Sequence, residues 1–138
     1  MKKEIILGEK TRKVAGETFG PFSQGIKVKA GNFIFIAGQG SYIKGNLVGR
    51  GDIGAQYRQI LECMKAILED AGGSMNDIVK MVHYVGPDVT PDSKEYRSIS
   101  EIRKQYIPKD FPVSTMVRVA GFMVEGMLIE ADAIAVID

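Results

Sequence analysis

The chain has 138 residues, of which 45% are apolar and 25% charged, and its 18 basic and 17 acidic side chains leave a net charge of +1. This length predicts a single domain over residues 1–138, large enough to bury about two-thirds of the unfolded surface. The charge balance argues against nucleic acid or a membrane surface as the main partner.

Cysteine and histidine occur once each, as Cys63 and His83. A single cysteine allows no intramolecular disulfide, as is usual in a reducing compartment. The apolar run at residues 5–7 is too short for a signal peptide, and no stretch approaches the roughly 18 apolar residues of a transmembrane helix. We therefore expect a cytoplasmic protein that binds no metal and no cofactor and has neither nucleic acid nor membrane as partner.

The N-terminal part of the chain predicts short strands separated by glycine-rich loops. Residues 3–7 are compatible with a short strand and residues 12–24 with a loop. Alternation over 26–29 and the apolar run 33–37 predict two strands joined as a hairpin, the second of them covered on both faces. Residues 38–51, with their many glycines, predict another loop.

The clearest predicted element is a helix that begins after Asp52, whose carboxylate is a suitable N-cap. Its apolar residues recur at helical spacing and form one stripe. They are Ile53, Tyr57, Ile60, Leu61, Met64, Ile67 and Leu68. The glycines at 72–73 predict a left-handed end to this helix. Ser74 and Asp77 have the spacing of a capping turn, and a strand over 78–85 is predicted to follow.

A second helix and two strands complete the predicted domain. Residues 91–107 have a helical period, marked by Tyr96, Ile99, Ile102, Arg103 and Tyr106. Strands are predicted over 114–119 and 127–137. The order is ββαβαββ, which indicates an α+β domain with both helices packed on one side of a sheet. The other face of that sheet is left apolar, so we expect a homo-oligomer that buries it.

Common catalytic motifs have little support. No glycine-rich phosphate-binding motif lies between a predicted strand and a helix, so nucleotide binding is not indicated. His83 permits a Ser-His-Asp nucleophile in principle, but a lone histidine within a strand is more often structural. Cys63, near the apolar stripe of the first helix, is more often a small core residue than a nucleophile.

Three features are harder to explain by packing alone. Residues 20–25, GPFSQG, bring an aromatic ring, a hydroxyl and an amide together in a stiff turn. Residues 37–40, AGQG, leave room beside a strand for a backbone or a ligand. Glu130 and Asp132 share one face of an apolar strand, where a carboxylate needs a partner. A functional and a structural role are both open for Glu130, whereas Asp132 is assigned more readily to structure.

Taken together, these segments resemble the Rid family, the reactive intermediate deaminases that were first called the YjgF family. The resemblance runs from about residue 20 to residue 136 and is carried by five motifs in order. They are GPFSQG at 20–25, IAGQ at 36–39, GDI at 51–53, AGGSMNDIVK at 71–80 and IEADAIA at 129–135. The family usually has tyrosine where Phe22 stands.

The resemblance implies a chorismate-mutase-like fold assembled as a homotrimer, with a central barrel of three sheets and a small-molecule cleft at each subunit interface. It also implies hydrolysis of reactive enamines and imines to 2-keto acids and ammonia. In active members, an arginine two residues after a proline binds the substrate carboxylate in a bidentate manner. A glutamate on the last strand positions the attacking water.

This chain departs from that pattern at the arginine. Counting from Pro112, the arginine position holds Ser114, whereas Glu130 corresponds to the catalytic glutamate. Arg118 lies on the same face as Ser114 but about 13 Å further along the strand. It can cover part of that distance, act from another subunit, or simply pair with a surface carboxylate, as exposed arginines often do. The residues expected to contact the ligand are Phe22, Ser23, Gly38, Gln39, Ser114, Thr115 and Arg118.

Three functions remain open at this point. The first is an enamine or imine deaminase with an altered anchor, in which Glu130 orients water and the backbone at 38–39 or Thr115 polarises the imine. The second is a trimer that binds a metabolite without catalysis. The third is a chaperone-like interaction protein in which the cleft is vestigial. A nuclease activity is disfavoured by the near-zero net charge.

Overall fold

The structure is a computed structural model that describes residues 3–17 and 20–138. Its elements in chain order are β1 (Lys3–Ile6), α1 (Glu9–Ala15), β2 (Gly25–Val28), β3 (Asn32–Gln39), β4 (Tyr42–Ile43), β5 (Asn46–Leu47), α2 (Ile53–Asp70), a 3-10 helix (Met75–Asp77), β6 (Ile78–Val85), α3 (Lys94–Tyr106), β7 (Val113–Arg118) and β8 (Ile129–Ile137). The predicted α+β class is confirmed. Thr18 and Phe19, within the predicted loop over 12–24, lie outside the described residues.

The central sheet has four strands in the spatial order β3-β8-β6-β7. β8 runs antiparallel to both of its neighbours, whereas β6 and β7 are parallel. A parallel pair needs a crossover connection, and α3 forms the one between β6 and β7. The C-terminal strand therefore lies inside the sheet, and its alternate alanines at 131, 133 and 135 are buried.

The predicted hairpin over 26–39 is wrong. β2 pairs with β1 in a separate two-stranded sheet, with Val28 opposite Lys3. β3 pairs with β8 instead, and its residues Ile34 and Ile36 pack in or against the core under the helices. Strand pairing follows from which faces become buried. Here the long-range burial of β3 outweighs the local turn signal.

Two glycine-containing segments are more ordered than the sequence predicts. Part of the predicted loop over 12–24 belongs to α1, in which no residue is buried. Its acidic first turn and basic last turn suit the helix dipole. Within the predicted loop over 38–51, β4 and β5 form a small hairpin around Lys44 and Gly45. Both of these residues have positive φ, 50° and 84°, as a type I′ turn requires.

The predictions for α2 and its ends are confirmed. The Oδ1 of Asp52 accepts a hydrogen bond from the Ala55 N–H at 3.0 Å. Gly72 has φ +84° just beyond the helix. The Ser74 N–H donates to Asp77 Oδ2 at 2.7 Å, which starts the 3-10 helix. Five stripe residues have no exposed surface: Tyr57, Ile60, Leu61, Met64 and Leu68.

The last elements lie close to their predicted positions. α3 begins at Lys94 and not at Pro91, because the Oγ of Ser93 caps it by accepting from the Tyr96 N–H at 3.2 Å. β6 has its predicted bounds, and β7 and β8 begin within two residues of theirs. Nothing in the described part of the chain is a helix long and apolar enough to cross a membrane.

The helices α2 and α3 pack against each other and cover one face of the sheet, as predicted. We call the other side the open face. On it, the rings of Phe33 and Phe35 stack with centroids 6.1 Å apart, yet they are 61% and 75% exposed. Val117 of β7 is 42% exposed. β3 was predicted to be covered on both faces, but within one chain it is covered on only one.

Candidate functional site

The two faces of the sheet separate residues that were predicted to share a site. Met81 and His83 of β6 point toward the helices and are fully buried. Residues paired side by side project from the same face, so Ser114, which pairs with Met81, also points toward the helices. Tyr84 projects from the open face, as does its partner Glu130. Within one chain, Ser114 and Glu130 therefore lie on opposite faces.

The turn over residues 20–25 is fastened to the segment that leads into β7. The Ser23 N–H donates to the Pro112 carbonyl at 3.0 Å, and the Ser23 hydroxyl donates to the Phe111 carbonyl. Ser23 is only 8% exposed. Its hydroxyl thus holds the turn in place, and the neighbouring Phe22 is set beside β7.

A series of polar side-chain contacts lies between α3, α2 and the strands β6 and β7. The Nη1 of Arg103, from α3, donates to Ser114 Oγ at 2.9 Å. Ser114 Oγ lies 3.3 Å from His83 Nδ1, and His83 Nε2 lies 2.8 Å from the Tyr57 hydroxyl. Tyr57 and His83 are fully buried, and Arg103 is 2% exposed. A guanidinium therefore does lie at Ser114, but it is supplied by a helix and not by the strand.

Burial keeps two members of this series neutral. Burial, together with a smaller effect of the Arg103 charge, lowers the pKa of His83 to about 3, although a backbone hydrogen bond with Thr115 opposes the shift. Burial also raises the pKa of Tyr57, against a smaller opposing effect of Arg103. His83 is thus a neutral imidazole and Tyr57 a neutral phenol near neutral pH. Arg103 carries the charge in this series of hydrogen-bonded side chains.

The geometry does not form a Ser-His-Asp nucleophile. The group beyond His83 is the phenol of Tyr57, not a carboxylate. An imidazole whose pKa is lowered to about 3 is a weak base at neutral pH. These contacts fit the structural role expected of a lone histidine in a strand.

A cavity of about 390 Å³ opens beside this polar series. Its lining includes Phe22, Ser114 and Arg118, so three predicted ligand-contacting residues meet there. Arg103 lines it as well. Arg118 lies exposed at the end of β7, whereas Arg103 is buried. A larger cavity of about 790 Å³, between the start of α2 and residues 120–128, is lined by none of the predicted site residues.

Glu130 and Asp132 have different surroundings on the open face. The Glu130 side chain lies over Gly38, where any Cβ would collide with its Oε1. The pairing of β3 with β8 shifts register at this point, which takes the backbone around Gly38 out of the regular ladder. Asp132 Oδ2 accepts a hydrogen bond from the Tyr84 hydroxyl at 2.9 Å, and that bond raises the pKa of Tyr84. The hydrogen bond from Tyr84 gives Asp132 a structural role. The Glu130 carboxylate instead lies against the backbone of Gly38, which has no side chain.

Two other predicted residues lie away from the cavity beside Ser114. Gln39 folds back, and its Nε2 donates to the Ala37 carbonyl at 3.0 Å. Thr115 pairs with Val82 and is exposed on the open face. Neither lines that cavity.

Metal coordination has no support in residues 3–17 and 20–138, where no three His, Cys, Asp or Glu side chains cluster so as to hold an ion. Cys63 is half-buried, and its Sγ accepts a hydrogen bond from Gln59 Nε2 at 3.5 Å.

Sequence reasoning missed Arg103 as a site residue. It was assigned only to the helical period of residues 91–107, together with Ile99 one turn earlier. A cation in a buried apolar stripe was the available signal, because arginine is almost never fully buried unless it is paired. Tyr57 was likewise taken only as core.

Comparison with known proteins shows the family to which the chain belongs. The whole fold is shared with a solved structure from Yersinia pestis, YyfB of the conserved Rid protein family, at a TM-score of 0.81 and 26% identity over 99% of this chain and 100% of that one. The family model described as Endoribonuclease L-PSP matches residues 13–137. The chain belongs to this family, the Rid or YjgF family, as its sequence motifs indicated.

Two relatives of known sequence align over nearly their full length. A RutC family protein of Pyrococcus abyssi is 39% identical over 142 aligned residues, which cover 98% of each chain. A 2-iminobutanoate/2-iminopropanoate deaminase of Dermatophagoides farinae is 28% identical over 126 residues, covering 91% of this chain and 92% of that protein.

Proposed function

We propose that this chain hydrolyses imines and enamines to a carbonyl product and ammonia, in a cleft formed between copies of the chain. The observation that carries the proposal is the position of Glu130, whose carboxylate lies on the open face against the bare backbone of Gly38. The name of the Dermatophagoides farinae relative, a 2-imino acid deaminase, supports the same reaction class.

The proposed reaction needs one carboxylate and one water molecule. Glu130 accepts a proton from the water as its oxygen attacks the imine carbon. A C–O bond forms, and the C=N π electrons move to nitrogen, which is protonated. The carbinolamine then collapses: the C–N bond breaks, ammonia leaves, and the hydroxyl loses its proton to give the carbonyl. An enamine enters the same path after protonation at carbon, so no oxidant or cofactor is required.

The separation of the two faces favours a site made by more than one chain. A ligand in the cavity beside Ser114 cannot also reach Glu130 of the same chain, because the sheet lies between them. A second copy that places its open face near the first copy's β7 removes this obstacle. The exposed rings of Phe33 and Phe35, with Val117, provide apolar surface for that contact.

We therefore propose the homotrimer that the family resemblance implies. Sedimentation equilibrium measures it directly. A chain that remains monomeric at assay concentration contradicts the shared cleft.

Glu130→Gln tests the catalytic role, with Asp132→Asn as the matched control on the same face. The assay follows ammonia release from freshly generated 2-aminoacrylate above the spontaneous rate. We expect the Glu130 variant to be at least about 100-fold slower, as is common for loss of a general base. The Asp132 variant should retain activity within a few-fold. Equal activity of wild type and Glu130→Gln removes Glu130 from the mechanism.

A non-catalytic metabolite-binding trimer is the second candidate, favoured by Ser114 at the position where the resemblance implies an arginine. The same assay separates the two functions. Wild-type protein that binds a 2-keto acid but does not accelerate 2-aminoacrylate hydrolysis is a binding protein.

A further inference from the structure

We propose that Arg103 is the anion-binding residue of the cavity beside Ser114, and that the anion it takes is a small organic carboxylate. Arg103 is 2% exposed, lines a cavity of about 390 Å³, and has a buried Nε–H with no hydrogen-bond partner in the described part of the chain.

Within the residues that the structure describes, the charge of Arg103 has no counter-ion. No ion pair joins it to a carboxylate among the described residues. Its guanidinium donates to the Ser114 hydroxyl, which lies beside the neutral imidazole of His83, and that imidazole contacts the neutral phenol of Tyr57. Arg103 lies in the last turn of α3, so the negative end of the helix dipole compensates part of the charge. A buried cation without a partner is strongly unfavourable, and a bound anion relieves that cost.

The carboxylate is placed on the side of the guanidinium that carries Nε–H, because Ser114 already takes Nη1. Arginine presents its N–H donors as a planar fork. Nη1 is engaged with Ser114, which leaves the side of the fork that carries the unpartnered Nε–H. Two parallel N–H···O bonds along that side bind one carboxylate in a bidentate manner, which a lysine ammonium cannot do.

The small side chain at residue 114 is what admits this guanidinium. Ser114 points toward the helices and accepts the Arg103 hydrogen bond itself. A long side chain there would occupy the space that Arg103 fills. Arg118, the other arginine of the cavity, is exposed, so its charge is screened by water and contributes less to binding. The arginine that binds the carboxylate is therefore assigned to α3.

This inference rests on the proposed function only in taking the cavity to be the substrate cleft. It adds that the cleft selects for a negative charge on the ligand, although β7 supplies no arginine at residue 114.

The test measures binding of 2-oxobutanoate and of its uncharged counterpart 2-butanone by calorimetry and ligand-observed NMR. We expect wild type to bind 2-oxobutanoate and not 2-butanone. Arg103→Met should weaken 2-oxobutanoate binding roughly 10- to 100-fold, the usual effect of losing hydrogen bonds to a charged group. Arg97→Met, an exposed arginine of the same helix, is the matched control and should bind as wild type does. Arg118→Met should weaken binding by less than Arg103→Met.

The exchange variant Arg103→Met with Ser114→Arg moves the guanidinium from the helix to the strand. It should recover part of the lost binding, whereas Ser114→Arg alone should not improve on wild type because two cations then compete for one space. If Arg103→Met does not fold, the Arg103 Nε–H proton of wild type keeps the proposal testable. Its NMR resonance should shift on addition of 2-oxobutanoate and stay unchanged on addition of 2-butanone.

Three results overturn the inference: equal binding of the two probes, unchanged binding by Arg103→Met, or a larger loss in Arg118→Met. These outcomes are distinct from failure of the proposed function. Arg103-dependent binding without hydrolysis of 2-aminoacrylate refutes the enzyme and keeps the anion site. Hydrolysis that depends on Glu130 but not on Arg103 does the reverse.

Discussion

His83 is expected to make the stability of this protein fall as the pH falls from about 7 to about 5. Its pKa is about 3 in the folded chain, against an ordinary value of 6.5, because the imidazole is fully buried between Tyr57 and Ser114 beside the Arg103 charge. The unfolded chain therefore binds a proton that the folded chain excludes. The His83 contribution is fully present above the unfolded pKa and is lost progressively as the pH falls toward the folded one.

The size of the effect follows from these two pKa values. At pH 5 the proton favours the unfolded chain by about 30-fold, which lowers the free energy of unfolding by ~2 kcal/mol relative to pH 7. His83 is the single histidine of the chain, so no other imidazole contributes. Urea unfolding of wild type and His83→Gln at a fixed chain concentration isolates the contribution of His83 to the pH dependence of the unfolding free energy. The variant starts from a lower stability but should lose ~2 kcal/mol less between the two pH values.

An independent NMR titration of the single imidazole in the folded protein checks the same reasoning. Its signal should stay that of the neutral ring down to about pH 4, given a folded pKa of about 3. An imidazole that titrates near 6, or a variant with the same pH dependence as wild type, would refute the account of a buried, cation-flanked histidine.

Three further changes test other parts of the structure. Gly38→Ala should displace the Glu130 carboxylate and slow hydrolysis at least about tenfold, yet change the unfolding free energy by less than about 1 kcal/mol because the displaced end is flexible; a loss of stability with unchanged activity contradicts this. Asp52→Ala removes the N-cap of α2 and should cost about 1 kcal/mol in urea unfolding, whereas Asp52→Asn, which keeps an acceptor, should cost less. Phe35→Asp on the open face should dissociate the oligomer in sedimentation without loss of helical circular dichroism. Val14→Asp, also at an exposed apolar residue, should leave the assembly intact.

The elements that could be predicted from sequence are those stabilised by near neighbours in the chain. The α2 helix has its cap, Asp52, and its apolar stripe within one segment, and its left-handed end at Gly72 needs only a residue that tolerates positive φ. The capping contact of Ser74 with Asp77 is equally local. These short-range interactions are the same in almost any tertiary setting, so the residue pattern alone determines them.

The candidate site could be predicted only in part, for the same reason. Phe22, Ser114 and Arg118 were all identified from the sequence, and the structure brings these three to one cavity. The burial of Arg103 against Ser114 depends on how α3 lies across β7, which no local pattern encodes.

Other features depend on pairing between segments that are distant in the chain, and no local pattern encodes them. The turn after β2 predicts a hairpin, yet β3 pairs with β8, about a hundred residues later. The family resemblance assigns Ser114 and Glu130 to one site, but the registers of β7, β6 and β8 put the two on opposite faces within one chain. Side chains alternate along a strand, so a shift of one residue in any of those pairings would reverse the face. Local patterns therefore account for α2, its caps and the family motifs, whereas the assembled sheet sets the arrangement of charges around Arg103 and Glu130.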